Sequence, residues 1–286
     1  MADSEKQKIA FIRALPGAGH LSAAVIYVTM GLLAGLAAIG FRGPTPDLRE
    51  TMRAIREQPF GPIILLLIAL GSISLVVWRL LQAFADLERK GTSFVGIFQR
   101  ARFFVSGLFY GGMPFLVWRM FTGAPVRSGE QWAREAASHL ILLPFGWTLL
   151  VGVGIGFLSY GGTCIYRMIR GNFHKWFHCE RMTRFQQFTC FALGRIGYAA
   201  RGSIFLIIGS FVVRAGWHLN PGEVSGQAGA LHKILLQPYG PLLLGLVAVG
   251  LISFGLFSLA TLRFGKVPVE RAGQLIKEAQ ARYAAT

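Results

Sequence analysis

The amino-acid sequence predicts an all-α membrane protein with six transmembrane helices, arranged as three parallel helical-hairpin repeats with pseudo-threefold symmetry and a short interfacial helix in each repeat. Three observations support this prediction: long charge-free apolar runs, a density of Lys and Arg that alternates between them, and a corner motif that occurs three times. Of the 286 residues, 53% are hydrophobic, 15% are charged and 36 are glycine, which is not the composition of a soluble globular protein of this size.

The apolar runs are close to the length that spans a bilayer, for which a helix needs roughly 20 mainly apolar residues. The run at 103–118 is short, but Arg102 and Arg119 at its ends have long side chains that can reach the headgroups, so we count it as a span. The run at 196–213 is interrupted only by Arg201. The six predicted spans are 21–41, 62–78, 103–118, 140–166, 196–213 and 239–262.

The distribution of basic residues predicts the topology. The two tails and the even-numbered connections hold 20 of the 29 Lys and Arg residues. Because cytoplasmic loops carry the excess of Lys and Arg, we expect a multi-pass protein with both termini in the cytoplasm. The net charge of +16 then reflects topology and attraction to anionic lipid headgroups on the cytoplasmic side, and we expect no nucleic-acid partner.

The corner motif reads QPFG at 58–61, LPFG at 143–146 and QPYG at 237–240. Proline ends the helix before it, and we expect the glycine to supply the conformational freedom of the turn. In each copy a glycine and then a serine follow at fixed distances from the proline. The corner residues are Pro59, Gly61, Pro144, Gly146, Pro238 and Gly240, and the small residues that follow are Gly71, Ser74, Gly156, Ser159, Gly250 and Ser253.

The segments before the corners also match one another. In the first, Leu48, Met52 and Ile55 have helical spacing with arginines beside them, which predicts a short amphipathic helix in the outer interface. The first helices of the three repeats align with an aromatic residue at Tyr27, Tyr110 and Phe205. Because each repeat contains two spans, all three have the same orientation, and they are expected to be related by an axis along the membrane normal.

The predicted division of the chain follows from these repeats. It comprises a cytoplasmic tail at 1–16, repeat 1 at 17–90, repeat 2 at 91–173, a cytoplasmic linker at 174–190, repeat 3 at 191–267 and a cytoplasmic amphipathic tail at 268–286.

The sequence resembles a bacterial integral-membrane family known as domain of unknown function 1206, whose members carry three tandem two-helix repeats. The resemblance covers about residues 17–267, and its most specific parts are GYAARG at 197–202, the QPFG and QPYG corners, and WRLLQAF at 78–84. Repeats 1 and 2 depart from it, with Ala23 and Ser106 where repeat 3 has Arg201. The resemblance implies the fold and a bacterial inner membrane, and it brings no established activity.

Arg201 and Arg195 are the candidate residues for an anionic ligand or a lipid headgroup. A charge inside a span is costly and points to function. The alternative is a structural anchor: Arg201 lies five residues into its run, about 7.5 Å deep at 1.5 Å per residue, and its side chain could extend to the cytoplasmic face.

The repeated glycines and serines have two interpretations. Small residues let membrane helices approach closely, so Gly71, Gly156, Gly250 and their partner serines predict a packing seam. In the second interpretation, their hydroxyls surround a central pathway.

The cytoplasmic segment HKWFHCE offers a weak metal candidate. His174 and His178 would lie one helical turn apart with Cys179 adjacent, a spacing that can hold a metal ion. An aromatic interfacial loop with Trp176 and Phe177 at the headgroups is the favoured alternative. We therefore expect no metal site and no cofactor, and reduced thiols at the three cysteines.

No catalytic motif occurs, and no Asp or Glu lies in any predicted span. Proton-coupled transporters usually depend on intramembrane carboxylates or histidines. The expected function is therefore non-enzymatic: lipid binding, or an accessory role that stabilises a partner membrane complex. The alternative is a small permease or channel with its path along the pseudo-threefold axis.

Overall fold

A computed structural model describes residues 2–41, 47–85, 91, 93–125 and 128–266, except for the side chains of residues 2–16 and of several positions between 94 and 109. The predicted amphipathic tail at 268–286 lies outside the described residues. Within them the chain is all-α, without a β-strand. The α-helices are α1 (Ala2–Ala38), α2 (Leu48–Arg56), α3 (Gly61–Phe84), α4 (Phe94–Phe121), α5 (Gly129–Ile141), α6 (Gly146–Arg170), α7 (Arg184–Trp217), α8 (Gln227–Leu235) and α9 (Gly240–Phe264).

Five helical segments are long and apolar enough to cross a membrane: Gly17–Ala38 within α1, and the whole of α3, α6, α7 and α9. In lipid, a helix satisfies its own backbone hydrogen bonds, which is why apolar runs of this length become helices. The predicted span 103–118 lies in α4, a helix of 28 residues whose side chains are only partly described.

The long helices pack in the order α4, α3, α1, α9, α7, α6, each against the next. In the first and third predicted repeats the two long helices pack on each other, α1 on α3 and α7 on α9. The two long helices of repeat 2 differ, because α4 and α6 do not pack along each other within the described residues.

All three corners adopt the same backbone conformation. The third residue of each motif has a positive φ: 62° at Phe60, 60° at Phe145 and 61° at Tyr239. The glycine N–H donates to the carbonyl of the residue before the proline, at 2.8 Å in every copy. The turn therefore has positive φ at its aromatic residue, and the expectation that glycine supplies the conformational freedom is wrong.

The corner glycines serve a different purpose. A Cβ atom at Gly61, Gly146 or Gly240 would collide with backbone carbonyl oxygens in the last turn of the preceding short helix. Only glycine allows the chain to pass this close to the helix it has just left. The corner thus joins a short helix to a long one at minimal separation.

The short helices α2, α5 and α8 bury their apolar sides against the long helices. Met52 and Ile55 on α2 and Leu231 on α8 belong to the same buried cluster as Met30 of α1 and Leu244 of α9. Helix α2 forms as predicted, with its apolar face against protein. We call the end of the bundle where these three helices lie the corner end.

Carboxylates of one repeat cap the short helix of the next. Asp47 accepts the backbone N–H of Glu50 in its own helix at 2.7 Å and that of Gly129 at the start of α5 at 2.9 Å. Glu130 in α5 accepts the backbone N–H groups of Gly226 and Gly229 at the start of α8, both at 3.2 Å. Because N-terminal N–H groups lack partners within their own helix, these contacts tie the three short helices together.

The opposite end, which we call the linker end, is closed by aromatic side chains of the segment between α6 and α7. Phe173 and Phe177 pack against Tyr198 of α7 and Phe257 of α9, with ring centroids 5.4 to 5.9 Å apart. Phe177 is 0% exposed, so the expectation that it lies at the headgroups is wrong. Trp176 is 37% exposed and is partly consistent with that expectation.

Candidate anion site around Arg201

Arg201 lies on α7 in the interior of the bundle and is only 8% exposed. Its guanidinium is surrounded by four rings from four helices, which we call the aromatic cage. The distances from its Cζ atom to the ring centroids are 4.3 Å for Phe254, 5.0 Å for Tyr27, 5.5 Å for Tyr160 and 5.8 Å for Phe205. Each ring face attracts the cation, by about 0.5–2 kcal/mol.

The hydrogen bonds of Arg201 are incomplete. One terminal nitrogen, Nη2, donates to the Tyr160 hydroxyl at 2.8 Å. The Nε atom is buried and has no hydrogen-bond partner among the described residues. A buried donor without a partner costs about 1–3 kcal/mol, and more for a charged group.

No carboxylate in the long helices can neutralise this charge. The sequence has no Asp or Glu in 17–38 of α1 or anywhere in α3, α4, α6, α7 or α9. Phenol hydroxyls and ring faces stabilise a cation but leave its net charge in place. The arrangement is therefore a buried, positively charged site with an open donor, which favours an anion.

The site lies near the middle of the membrane-spanning segments. Tyr27 is ten residues from Gly17 and eleven from Ala38, so at 1.5 Å per residue it is about 15 Å from each end of that span. Arg201 itself is seventeen residues into α7, about 26 Å from its start. Its head group is held in the aromatic cage and does not extend to an end of the span. The anchor interpretation required it to reach the cytoplasmic face.

A third tyrosine belongs to this neighbourhood. Tyr110 of α4 interacts electrostatically with Arg201, Tyr27 and Tyr160. Of the three aromatic positions that the repeats align, Tyr27 and Phe205 belong to the aromatic cage, and Tyr110 interacts with Arg201 through its electrostatic field. The aligned aromatic residues were the sequence signal for the aromatic cage. Nothing in the sequence indicated that they lie near Arg201. Tyr160 and Phe254 lie outside the aligned set, and sequence reasoning missed them.

The structure does not bring Arg195 to this site. Its side chain is exposed and packs against Gly171, where a Cβ atom would lie 2.5 Å from Arg195 Nη2. The two arginines predicted together are thus separate, and only Arg201 is enclosed.

The repeated glycines differ in their surroundings. Gly71 of α3 packs on α1, where a Cβ atom would lie 2.6 Å from the carbonyl oxygen of Ala18. Gly250 of α9 packs in the equivalent way on Ile196 and Ala200 of α7. Gly156 of α6 is exposed and has open space beside its Cα.

The repeated serines do not form a ring of hydroxyls around a path. Ser74 donates to the carbonyl of Leu70 in its own helix at 2.9 Å, Ser159 is exposed and Ser253 is buried.

Gly156 marks an opening in the wall of the bundle. In α3 and α9 the matching face packs on the first helix of the hairpin, whereas in α6 that face is uncovered. Tyr160, one turn further along α6, is 37% exposed although its hydroxyl reaches Arg201. We call the region of Gly156 and Tyr160, where α4 does not pack along α6, the α4–α6 opening.

The metal candidates do not form a ligand set. The segment forms two short 3₁₀ turns, Phe173–Trp176 and Cys179–Arg181, so the helical spacing assumed for His174 and His178 is absent. Cys179 Sγ lies 3.6 Å from His174 Nδ1, and the three cysteines are unpaired. No group of three possible metal ligands occurs among the described residues.

Two segments of the chain match the model of a known protein family. The model of the Domain of Unknown Function (DUF1206) matches residues 18–86 and 196–263. Over these two segments the chain is similar to the DUF1206 family. The matched DUF1206 segments contain residues 18–38 of α1 with α2 and α3, and residues 196–217 of α7 with α8 and nearly all of α9. These are the two hairpins whose long helices pack on each other. The middle repeat, with the α4–α6 opening, lies outside the DUF1206 match.

One curated protein is similar over most of its length. The Uncharacterized protein YxxB of Bacillus subtilis (strain 168) is 28% identical over 243 residues, which cover 84% of this chain and 86% of that protein. No solved structure matches the chain.

Proposed function

We propose that this chain is a non-enzymatic protein of the bacterial inner membrane that binds an anionic amphipathic lipid, whose acidic group pairs with Arg201. The observation that carries the proposal is the buried guanidinium with a free Nε and no carboxylate counterion in the long helices. An arginine at the centre of a span costs about 2.5–3.5 kcal/mol on insertion scales. A buried arginine that carries this energetic cost without a counterion is expected to have a function, such as binding an anion.

The surroundings of Arg201 suit an acidic group. An anion would accept a hydrogen bond from Nε, and Tyr27, whose ring centroid lies 5.0 Å from Cζ, offers a further phenol hydroxyl in the same neighbourhood. Charge-assisted hydrogen bonds contribute about 1.5–3 kcal/mol each. The aromatic cage holds the guanidinium in place beforehand, so little side-chain entropy is lost when the ligand binds.

Packing at both ends argues against the alternative of an axial permease. Met52 and Leu231 at the corner end and Phe173 and Phe177 at the linker end are each 1% exposed or less, so none of them lines an open path. A path along the axis would have to displace both layers. A ligand that exchanges sideways with the bilayer needs neither end to open. No feature of the described residues selects a partner for the accessory role in a membrane complex.

We also propose that α4 is the sixth span, that the three repeats have pseudo-threefold symmetry, and that both termini are cytoplasmic. The shared corner geometry and the aromatic positions around Arg201 support the symmetry, and the distribution of basic residues supports the topology. In a cysteine-free variant, a cysteine introduced at Glu57 should react with an impermeant maleimide added to intact cells. One introduced at Lys175 should react only after lysis, and the opposite pattern would contradict the topology.

The central experiment compares Arg201→Gln with Arg195→Gln. The wild-type protein is extracted in native lipid discs, and bound lipids are identified by native mass spectrometry. Loss of one charge-assisted hydrogen bond predicts binding of an anionic lipid about 10- to 100-fold weaker for Arg201→Gln. Arg195→Gln should bind as the wild type does, because its side chain is exposed and apart from the aromatic cage.

The interpretation requires that the variant folds. Circular dichroism and gel filtration check this for Arg201→Gln, and Tyr160→Phe provides a milder change that removes only the hydroxyl 2.8 Å from Nη2. Anionic lipids retained equally by wild type, Arg201→Gln and Tyr160→Phe would refute the proposed function.

A further inference from the structure

We infer that the ligand is a single-chain carboxylic acid that reaches Arg201 sideways, from the hydrocarbon, through the α4–α6 opening. This inference rests on the proposed function and specifies both the ligand class and the route. It combines three features of the molecule: the uncovered face of α6, the depth of Arg201 and the charge of its guanidinium, which no carboxylate of the long helices balances.

The route follows from the comparison of the three hairpins. At Gly71 and Gly250 a Cβ atom would meet the facing helix, whereas at Gly156 it would meet nothing within 4 Å. Tyr160 connects this uncovered face with the interior, because its ring is exposed on one side while its hydroxyl contacts Arg201. A ligand entering here passes Tyr160 and arrives at the guanidinium without crossing either closed end.

The depth selects against a phospholipid headgroup. Arg201 lies level with Tyr27, about 15 Å from either end of the span. A phosphodiester stays ionised at neutral pH, so it would have to carry a full charge and its polar glycerol through hydrocarbon to this depth. A carboxylic acid can take up a proton, cross the hydrocarbon as a neutral molecule and lose the proton beside a cation, which favours its charged form.

The size of the site and its charge agree with this class. Four ring centroids lie within 5.8 Å of the guanidinium carbon, so a head group much larger than a carboxylate would have to displace a ring. One carboxylate balances one guanidinium and can accept from Nε and a neighbouring phenol together. The apolar chain of the ligand would remain in the α4–α6 opening, where Gly156 presents no side chain.

The test uses oleic acid, oleyl alcohol and dioleoylphosphatidylglycerol as probes, with the full chain in detergent and native mass spectrometry as the readout. Gly156→Leu fills the opening, while Gly162→Leu adds the same side chain at an exposed glycine with open space on another face of α6. We expect oleate to bind the wild type and Gly162→Leu within twofold of each other. Binding to Gly156→Leu and to Arg201→Gln should be at least tenfold weaker, and oleyl alcohol should not compete.

The outcomes separate this inference from the proposed function. If the phosphatidylglycerol binds in an Arg201-dependent manner and oleic acid does not, the ligand class is wrong and the proposed function stands. If oleate binds Gly156→Leu as tightly and as rapidly as it binds the wild type, the route is wrong. If oleyl alcohol competes equally, the carboxylate is not what is recognised. If none of the probes depends on Arg201, both the inference and the proposed function are refuted.

Discussion

Alanine substitutions at the three matched glycines test whether the wall of the bundle is open between α4 and α6. Gly71, Gly156 and Gly250 occupy equivalent positions in α3, α6 and α9, so each change adds the same methyl group in the same helical setting. At Gly250 the new Cβ atom would overlap the Cβ atom of Ala200, and at Gly71 it would lie 2.6 Å from the backbone oxygen of Ala18. At Gly156 it would have no neighbour within 4 Å.

The expected magnitudes follow from two opposing effects. Replacing glycine by alanine inside a helix favours the helix by up to about 1 kcal/mol. Overpacking at a tight contact costs about 1–3 kcal/mol. Gly156→Ala should therefore be neutral or stabilising by up to about 1 kcal/mol, whereas Gly250→Ala and Gly71→Ala should lose up to about 2 kcal/mol net.

The measurement is the apparent melting temperature of the purified proteins in one detergent at one heating rate, since membrane proteins often unfold irreversibly. A difference of 1 kcal/mol corresponds to about 2–4 °C for chains of roughly this size. Gly156→Ala should thus melt several degrees above the other two variants. Equal losses at all three glycines would mean that α4 packs on α6 as α1 packs on α3, and the reasoning from an open wall would be refuted.

Three further substitutions test other contacts. Glu130→Ala removes the acceptor for two N–H groups of α8 and should cost about 1–2 kcal/mol in a denaturation assay, whereas Glu57→Ala, which loses only an exposed ion pair, should cost under about 1 kcal/mol; similar losses would argue against the capping role. Gly146→Ala should abolish normal expression of folded protein, because the new Cβ atom collides with the preceding helix, and a wild-type gel-filtration profile would contradict the corner geometry. A hydrogen bond with His218 lowers the pKa of Glu223 below its ordinary value of 4.5, so the carboxylate stabilises the fold above that pH and loses this effect as the pH falls through the folded-state pKa. The melting-temperature advantage of wild type over Glu223→Gln should shrink on acidification from pH 6 to below about pH 4, and an advantage that grows would contradict the assignment.

The helices and corners were predictable because they follow from local rules. An apolar run in a bilayer must satisfy its own backbone hydrogen bonds, and a proline must end the helix before it. The amphipathic pattern of α2 likewise predicted a helix whose apolar side includes Met52 and Ile55, which are buried, but it did not identify the buried Thr51. The role of the corner glycine was not predictable, because both a positive φ and a close approach select glycine, and only coordinates separate the two.

The candidate site was predictable as far as Arg201 itself. The depth argument counted residues from the start of an apolar run, which locates a Cα atom, while the direction of a long side chain depends on its tertiary neighbours. Those neighbours, Tyr160 and Phe254, come from helices 41 and 53 positions away in the sequence. Phe177 illustrates the same limit, since an aromatic residue near a membrane surface is equally compatible with the headgroups and with a core.

The aromatic cage also bears on how the chain is made. Proteins are synthesised from the amino terminus, so Tyr27 and Tyr160 leave the ribosome before Arg201, and Phe254 leaves after it. When α7 inserts into the membrane, the helices that carry Tyr27 and Tyr160 are already present, and these side chains can pack around the arginine. The last hairpin helix then completes the enclosure. A truncated chain that ends after α7 would hold its cation with one side uncovered, and it is a natural substrate for the proteases that remove unfinished membrane proteins.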